Sequence, residues 1–66
     1  MPPVNTPDQI VGRQLKLERV AAGAKLIDVA ARVGVSAGHL SHIESGNRKA
    51  DSVLIARIRE AIQAAA

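Results

Sequence analysis

The sequence predicts an all-α domain, and three observations carry that expectation. Twelve of the 66 residues are alanine and none is Phe, Trp or Tyr, a composition that favours helix over sheet. Apolar residues recur at spacings of three and four in separate stretches. Each stretch is bracketed by a capping residue, a glycine or both. A chain of this length holds one small domain, which buries roughly 60% of the surface its unfolded form exposes.

The first seven residues carry three prolines and read as a flexible, proline-rich arm (1–7), with the domain proper over 8–66. The arm has no Lys or Arg to follow a charged groove. Asp8 is the expected cap of a first helix running to about Ala22, which Gly23 stops. Val11, Leu15 and Ala22 form its inward stripe. Ile10, Leu17 and Ala21 form a second apolar stripe on another face. A short second helix spans Leu26 to Val33, with Val29, Ala30 and Val33 inward and Gly34 at its end. Ser36 caps a third helix from Ala37 to about Ser45, with Leu40 and Ile43 inward and Gly46 closing it. After the basic loop Asn47-Arg48-Lys49-Ala50, Asp51 caps a fourth helix that carries Ile55, Ile58 and Ile62 inward. That helix is expected to run to the chain end, with Gln63 to Ala66 fraying.

Composition narrows the function classes. Without aromatic residues there is no base stacking on rings and no aromatic cage. Without cysteine there is no disulfide, thiolate metal site or cysteine nucleophile, which fits a reducing, cytoplasmic setting. The longest tight apolar run, Val53-Leu54-Ile55-Ala56, is far too short to cross a membrane, and no leader-like segment is visible. A net charge of +3 permits an anionic partner without demanding one.

The informative stretch runs from Asp28 to Gly46. Two short helices meeting at a sharp angle need a small residue at their closest approach, and Ala30 supplies it. They need a residue tolerant of positive φ four positions later, which Gly34 supplies. Val35, Leu40 and Ile43 then have the spacing to lock the second helix on the first. An ordinary helical hairpin would account for Gly34 alone; the joint spacing from Ala30 to Ile43 is that of a helix-turn-helix.

On these residues the chain resembles the prokaryotic and phage repressor domains of the lambda-repressor/Cro type, the XRE family. The resemblance covers Val11 to about Ile62. It rests on Val11-Gly12, Leu15, Arg19, Gly23, Val29-Ala30, Gly34-Val35-Ser36, Leu40-Ser41, Ile43-Glu44, Gly46 and Arg48. It implies a compact bundle of four or five helices whose third helix enters the major groove of double-stranded DNA. By that resemblance Ser36, Ala37, Gly38, Ser41, His42 and Ser45 face base edges, and Lys25, Asn47, Arg48 and Lys49 meet phosphates. Arg19 and Glu44 then form a structural ion pair between the first and third helices. The expected activity is that of a transcriptional regulator, repressor-like, acting as a homodimer or a cooperative assembly on DNA. The chain departs from the family at Lys25 and Leu26, where a cap and a phosphate-gripping Gln are usual. It departs again at Glu18, usually apolar, and at Ala50, often proline.

Other functions find less support. His39 and His42 stand three apart on a helix, but no third metal ligand stands at a convincing spacing, so no metal or other cofactor is expected. No catalytic constellation and no small-molecule substrate are evident, and the chain is read as a non-enzyme. The rival reading is a protein-interaction module, an antitoxin, anti-repressor or adaptor. It would use Ile10, Leu17, Leu26 and Ile27 as an apolar surface of the first two helices.

Overall fold

The computed structural model describes residues 6–66, which form helices and, among the described residues, no strand. The elements are α1 (Pro7–Ala21), α2 (Leu26–Val33), α3 (Ala37–Glu44) and α4 (Ser52–Ala65). Residues 1–5 of the expected arm lie outside the described residues.

α1 begins earlier than its apolar pattern suggests, and its cap is not Asp8. Thr6 is the N-cap: its hydroxyl accepts from the Gln9 N–H at 3.2 Å, while the Gln9 side-chain oxygen accepts from the Thr6 N–H at 3.2 Å. This reciprocal pair satisfies two of the four donors that a helix start leaves free. Pro7 takes the first helical position, where its missing N–H costs nothing and its ring presets φ. Asp8 instead sits inside the first turn, against the positive end of the helix dipole.

The helix-turn-helix follows from local chemistry. Gly34 adopts φ +89, and the carbonyl of Ala30 accepts from both Gly34 N–H at 2.9 Å and Val35 N–H at 3.0 Å. An L side chain at that φ costs roughly 1–2 kcal/mol. Ser36 then turns the chain into α3 by accepting from His39 N–H at 3.0 Å. α3 is one residue shorter than expected, since Ser45 is its C-cap.

Nine residues form the core: Leu15, Ala24, Val29, Ala30, Leu40, Ile43, Ile58, Ala61 and Ile62. All four helices contribute or border it, and with no aromatic side chain the volume is filled by Leu, Ile, Val and Ala. Each fully buried Leu or Ile contributes about 1.5–3 kcal/mol relative to exposure. Val11 and Ala22 of the expected inward stripe are half-buried against this cluster.

One further expectation is corrected. Leu26 does not belong to an exposed apolar surface: it is half-buried and packs on the core beside Val29 and Val33. Leu26 lies three, four and seven residues before Val29, Ala30 and Val33 and so shares their inward face, whereas Ile27 turns off that face and is left 65% exposed. At the other end α4 runs to Ala65, close to the chain end as expected, with Ala61, Ile62 and Ala65 packed on the core.

α1 crosses α3 at backbone distance. A Cβ placed on Gly12 would stand 2.2 Å from the Ile43 carbonyl oxygen and 2.8 Å from that of Glu44. No side chain fits there. α4 meets α1 differently, through an exposed pair in which Arg59 Nε lies 3.2 and 3.3 Å from the two Glu18 carboxylate oxygens. Glu18, where the resemblance implies an apolar residue, thus faces α4 at the protein's surface.

Candidate nucleic-acid interface

α3 divides cleanly into two faces. Leu40, Ile43 and Glu44 point into the protein and are buried. Gly38, Ser41, His42 and Ser45 are exposed on the opposite side, and Ala37 at the helix tip is half-buried. Ser36, also exposed, spends its hydroxyl oxygen on the His39 cap. The Ser45 hydroxyl donates to the His42 carbonyl at 3.0 Å, so outward it offers only lone pairs. Ser41 and His42 retain free side-chain donors and acceptors among the described residues. Gly38 has nothing within 4 Å of where its Cβ would be, so no neighbour inside the protein requires a glycine there.

The loop after α3 is shaped by the end of that helix. Gly46, at φ +81, donates to the Ile43 carbonyl at 3.1 Å, while the Asn47 and Arg48 N–H groups both donate to that of His42, at 2.9 and 3.1 Å. This is a Schellman closure, and it fixes the direction in which residues 47–49 leave the helix. A Cβ on Gly46 would also strike Gln9 of α1, standing 2.4 Å from its Cγ. Asn47, Arg48 and Lys49 are all exposed. Arg48 borders a cleft of about 30 Å³ with Asp8, Val11, Ile43 and Ile55. Lys25 stands exposed at the N-cap of α2 with no side-chain capping bond.

Arg19 and Glu44 brace α3 from behind. Arg19 Nε lies 2.8 Å from Glu44 Oε2 and Nη2 lies 3.1 Å from Oε1, a two-point contact with side chains only 13% and 5% exposed. The third guanidinium nitrogen, Nη1, donates to the Ala24 carbonyl at 3.1 Å. One side chain therefore ties α1 to α3 and to the turn before α2, and the buried carboxylate has its charge balanced where α3 ends.

Ile10, Leu17 and Ile27 are 46%, 62% and 65% exposed, and Val20 and Val53, outside the apolar surface expected from sequence, are exposed as well. Among the described residues no group of three or more His, Asp or Glu side chains could hold a metal ion. Two features bring in residues outside the expected site: the backbone contact at Gly12, and a groove of about 380 Å³ between α1 and the last turn of α3. Gln9, Arg13, Lys16, Glu44 and Ser45 line that groove.

Comparison with known families matches residues 10–66 to a helix-turn-helix domain. Comparison with curated proteins and with solved structures gives no match.

Proposed function

Because the chain belongs to the helix-turn-helix domain family, we propose that it binds duplex DNA as a sequence-specific regulator of transcription, with α3 in the major groove. The observation that carries this reading is the two-faced α3: its apolar side is fully committed to the core, while Gly38, Ser41, His42 and Ser45 are all exposed. A helix held this way projects its free face without moving its own backbone. Ser41 and His42 suit hydrogen bonding to base edges, and Ala37 suits a thymine methyl. Ser36, Gly38 and Ser45 complete the face that meets bases. Lys25, Asn47, Arg48 and Lys49 are assigned to phosphates, where they set register and contribute affinity without reading sequence.

The mechanism is occupancy. No bond is made or broken; the bound domain blocks or recruits polymerase. The reading face carries short side chains, so one domain alone binds weakly. A homodimer, or neighbouring molecules on DNA, would read half-sites about one helical turn apart. Such a regulator works in the cytoplasm, beside the chromosome it reads.

The exposed Ile10, Leu17 and Ile27 favour a second reading, in which the fold is kept for a protein partner. One experiment separates the two: an NMR titration of isotope-labelled protein with a mixed-sequence duplex at low and moderate salt. Shifts centred on residues 36–45 and 47–49, fading as salt rises, are the expected result. Silence there, with broadening of Ile10, Leu17 and Ile27 from self-association, would overturn the DNA reading.

A further inference from the structure

The domain's cations are unevenly committed. Of nine Lys and Arg residues, Arg19 and Arg59 are held in ion pairs. Arg13 and Lys16 are not: among the described residues no hydrogen bond or ion pair engages either side chain, and both are exposed. They stand three apart on α1, and Gln9 lies four residues before Arg13, so all three share one face of the helix.

That face forms one wall of the 380 Å³ groove whose other wall is Glu44 and Ser45. Glu44 adds no free negative charge, because Arg19 takes both its oxygens and its side chain is 5% exposed. Two unopposed cations therefore dominate the groove. Its position is equally specific. Ser45 belongs to the exposed face of α3, so the groove opens where that face ends. Arg48 lines a separate cleft, with Asp8, Val11 and Ile55 instead of Gln9 and Lys16. Gly12, in backbone contact with the last residues of α3, borders the cleft of Arg48 and is absent from the groove of Arg13.

We infer that Arg13 and Lys16 form a second phosphate-binding rail, on α1, that grips the sugar–phosphate backbone of a duplex alongside the last turn of α3. The inference rests on the DNA-binding reading above. The ligand is a polyanion with evenly spaced phosphates and an open groove suits it, since the side chains can reach successive phosphates without entering a closed pocket. The rail carries affinity and register, and it reads no bases.

The test is the salt dependence of binding to a fluorescently labelled duplex, followed by anisotropy. Each phosphate that the protein no longer neutralises lowers the log–log slope by about 0.9, so R13A/K16A should flatten it by roughly 1.8. The loss of affinity should be the same on several unrelated duplex sequences. R32A/R57A, which removes two exposed cations that line a different surface between α2 and α4, should leave the slope close to that of the unaltered protein. Circular dichroism should show both variants folded, since all four side chains are exposed. An unaltered slope in R13A/K16A, with the starting protein binding DNA normally, would overturn the rail and leave the DNA reading standing. An equal loss in R32A/R57A would reduce the rail to general charge and overturn it too. No salt-sensitive binding by the starting protein would overturn both.

Discussion

Two glycines inside helices, Gly12 in α1 and Gly38 in α3, have opposite reasons for being there. Gly12 is buried, and a Cβ on it would collide with two carbonyl oxygens of α3. Gly38 is exposed, and a Cβ on it would meet nothing. The first marks the inner side of α3, where α1 comes within backbone contact and Arg19 grips Glu44. The second marks the outer side, where Gly38, Ser41, His42 and Ser45 are exposed. A glycine in a helix interior such as that of Gly12 costs roughly 1 kcal/mol against alanine, and in the first turn, where Gly38 stands, up to that much. On the inner side that cost is offset by the close crossing; on the outer side the fold gains nothing from it. The two sides of one eight-residue helix are thus under different constraints, one set by fit within the protein and the other by what lies outside it.

Three substitutions test that contrast. R19A should have the largest effect, because it strands the Glu44 carboxylate in a nearly closed site and removes the tie to the Ala24 turn. A loss of about 3 kcal/mol is expected in urea unfolding followed by circular dichroism. A loss under about 1 kcal/mol, the range of exposed pairs such as Arg59–Glu18, would mean that the inner side is looser than its geometry. G12A comes next: overpacking against backbone that cannot rotate aside should cost about 2 kcal/mol, even though alanine is the better helix former. A neutral result in the same unfolding assay would break the comparison. G38A should have the smallest effect and the opposite sign, stabilising the domain by up to ~1 kcal/mol. Thermal melting checks the sign, and a lower melting temperature would show that the outer side is also under internal constraint. A higher melting temperature accompanied by weaker DNA binding would assign Gly38 to close approach of the α3 backbone to its partner.

What can be read in the sequence follows the same division between near and far. The α2–α3 turn is legible because its determinants are neighbours: Ala30, Gly34 and Ser36 each act within four residues, and the helix limits from Leu26 to Val33 match the structure. The start of α1 is easily misread although its signal is present. Thr6 and Gln9 have the spacing of a capping box, but three prolines in seven residues read more readily as a segment that cannot be helical. Leu26 is misplaced when it is grouped with Ile27, although its spacing from Val29, Ala30 and Val33 puts it on their inward face. Arg19 and Glu44 are 25 residues apart, and only the family resemblance suggests their pairing. The Gly12 crossing, the Glu18–Arg59 pair across 41 residues and the groove of Arg13 and Lys16 depend on how separate helices are set against one another. No local pattern encodes that.

The freedom of the outer face of α3 has a consequence for inheritance. Ser41 and His42 make no side-chain hydrogen bond within the described protein, and Gly38 has open space around it. Replacing them therefore alters neither the core nor the braces behind the helix. If α3 reads DNA as proposed, preference for a sequence and ability to fold can drift separately in this domain. A duplicated copy could change its target in a few steps, each of them already a folded protein.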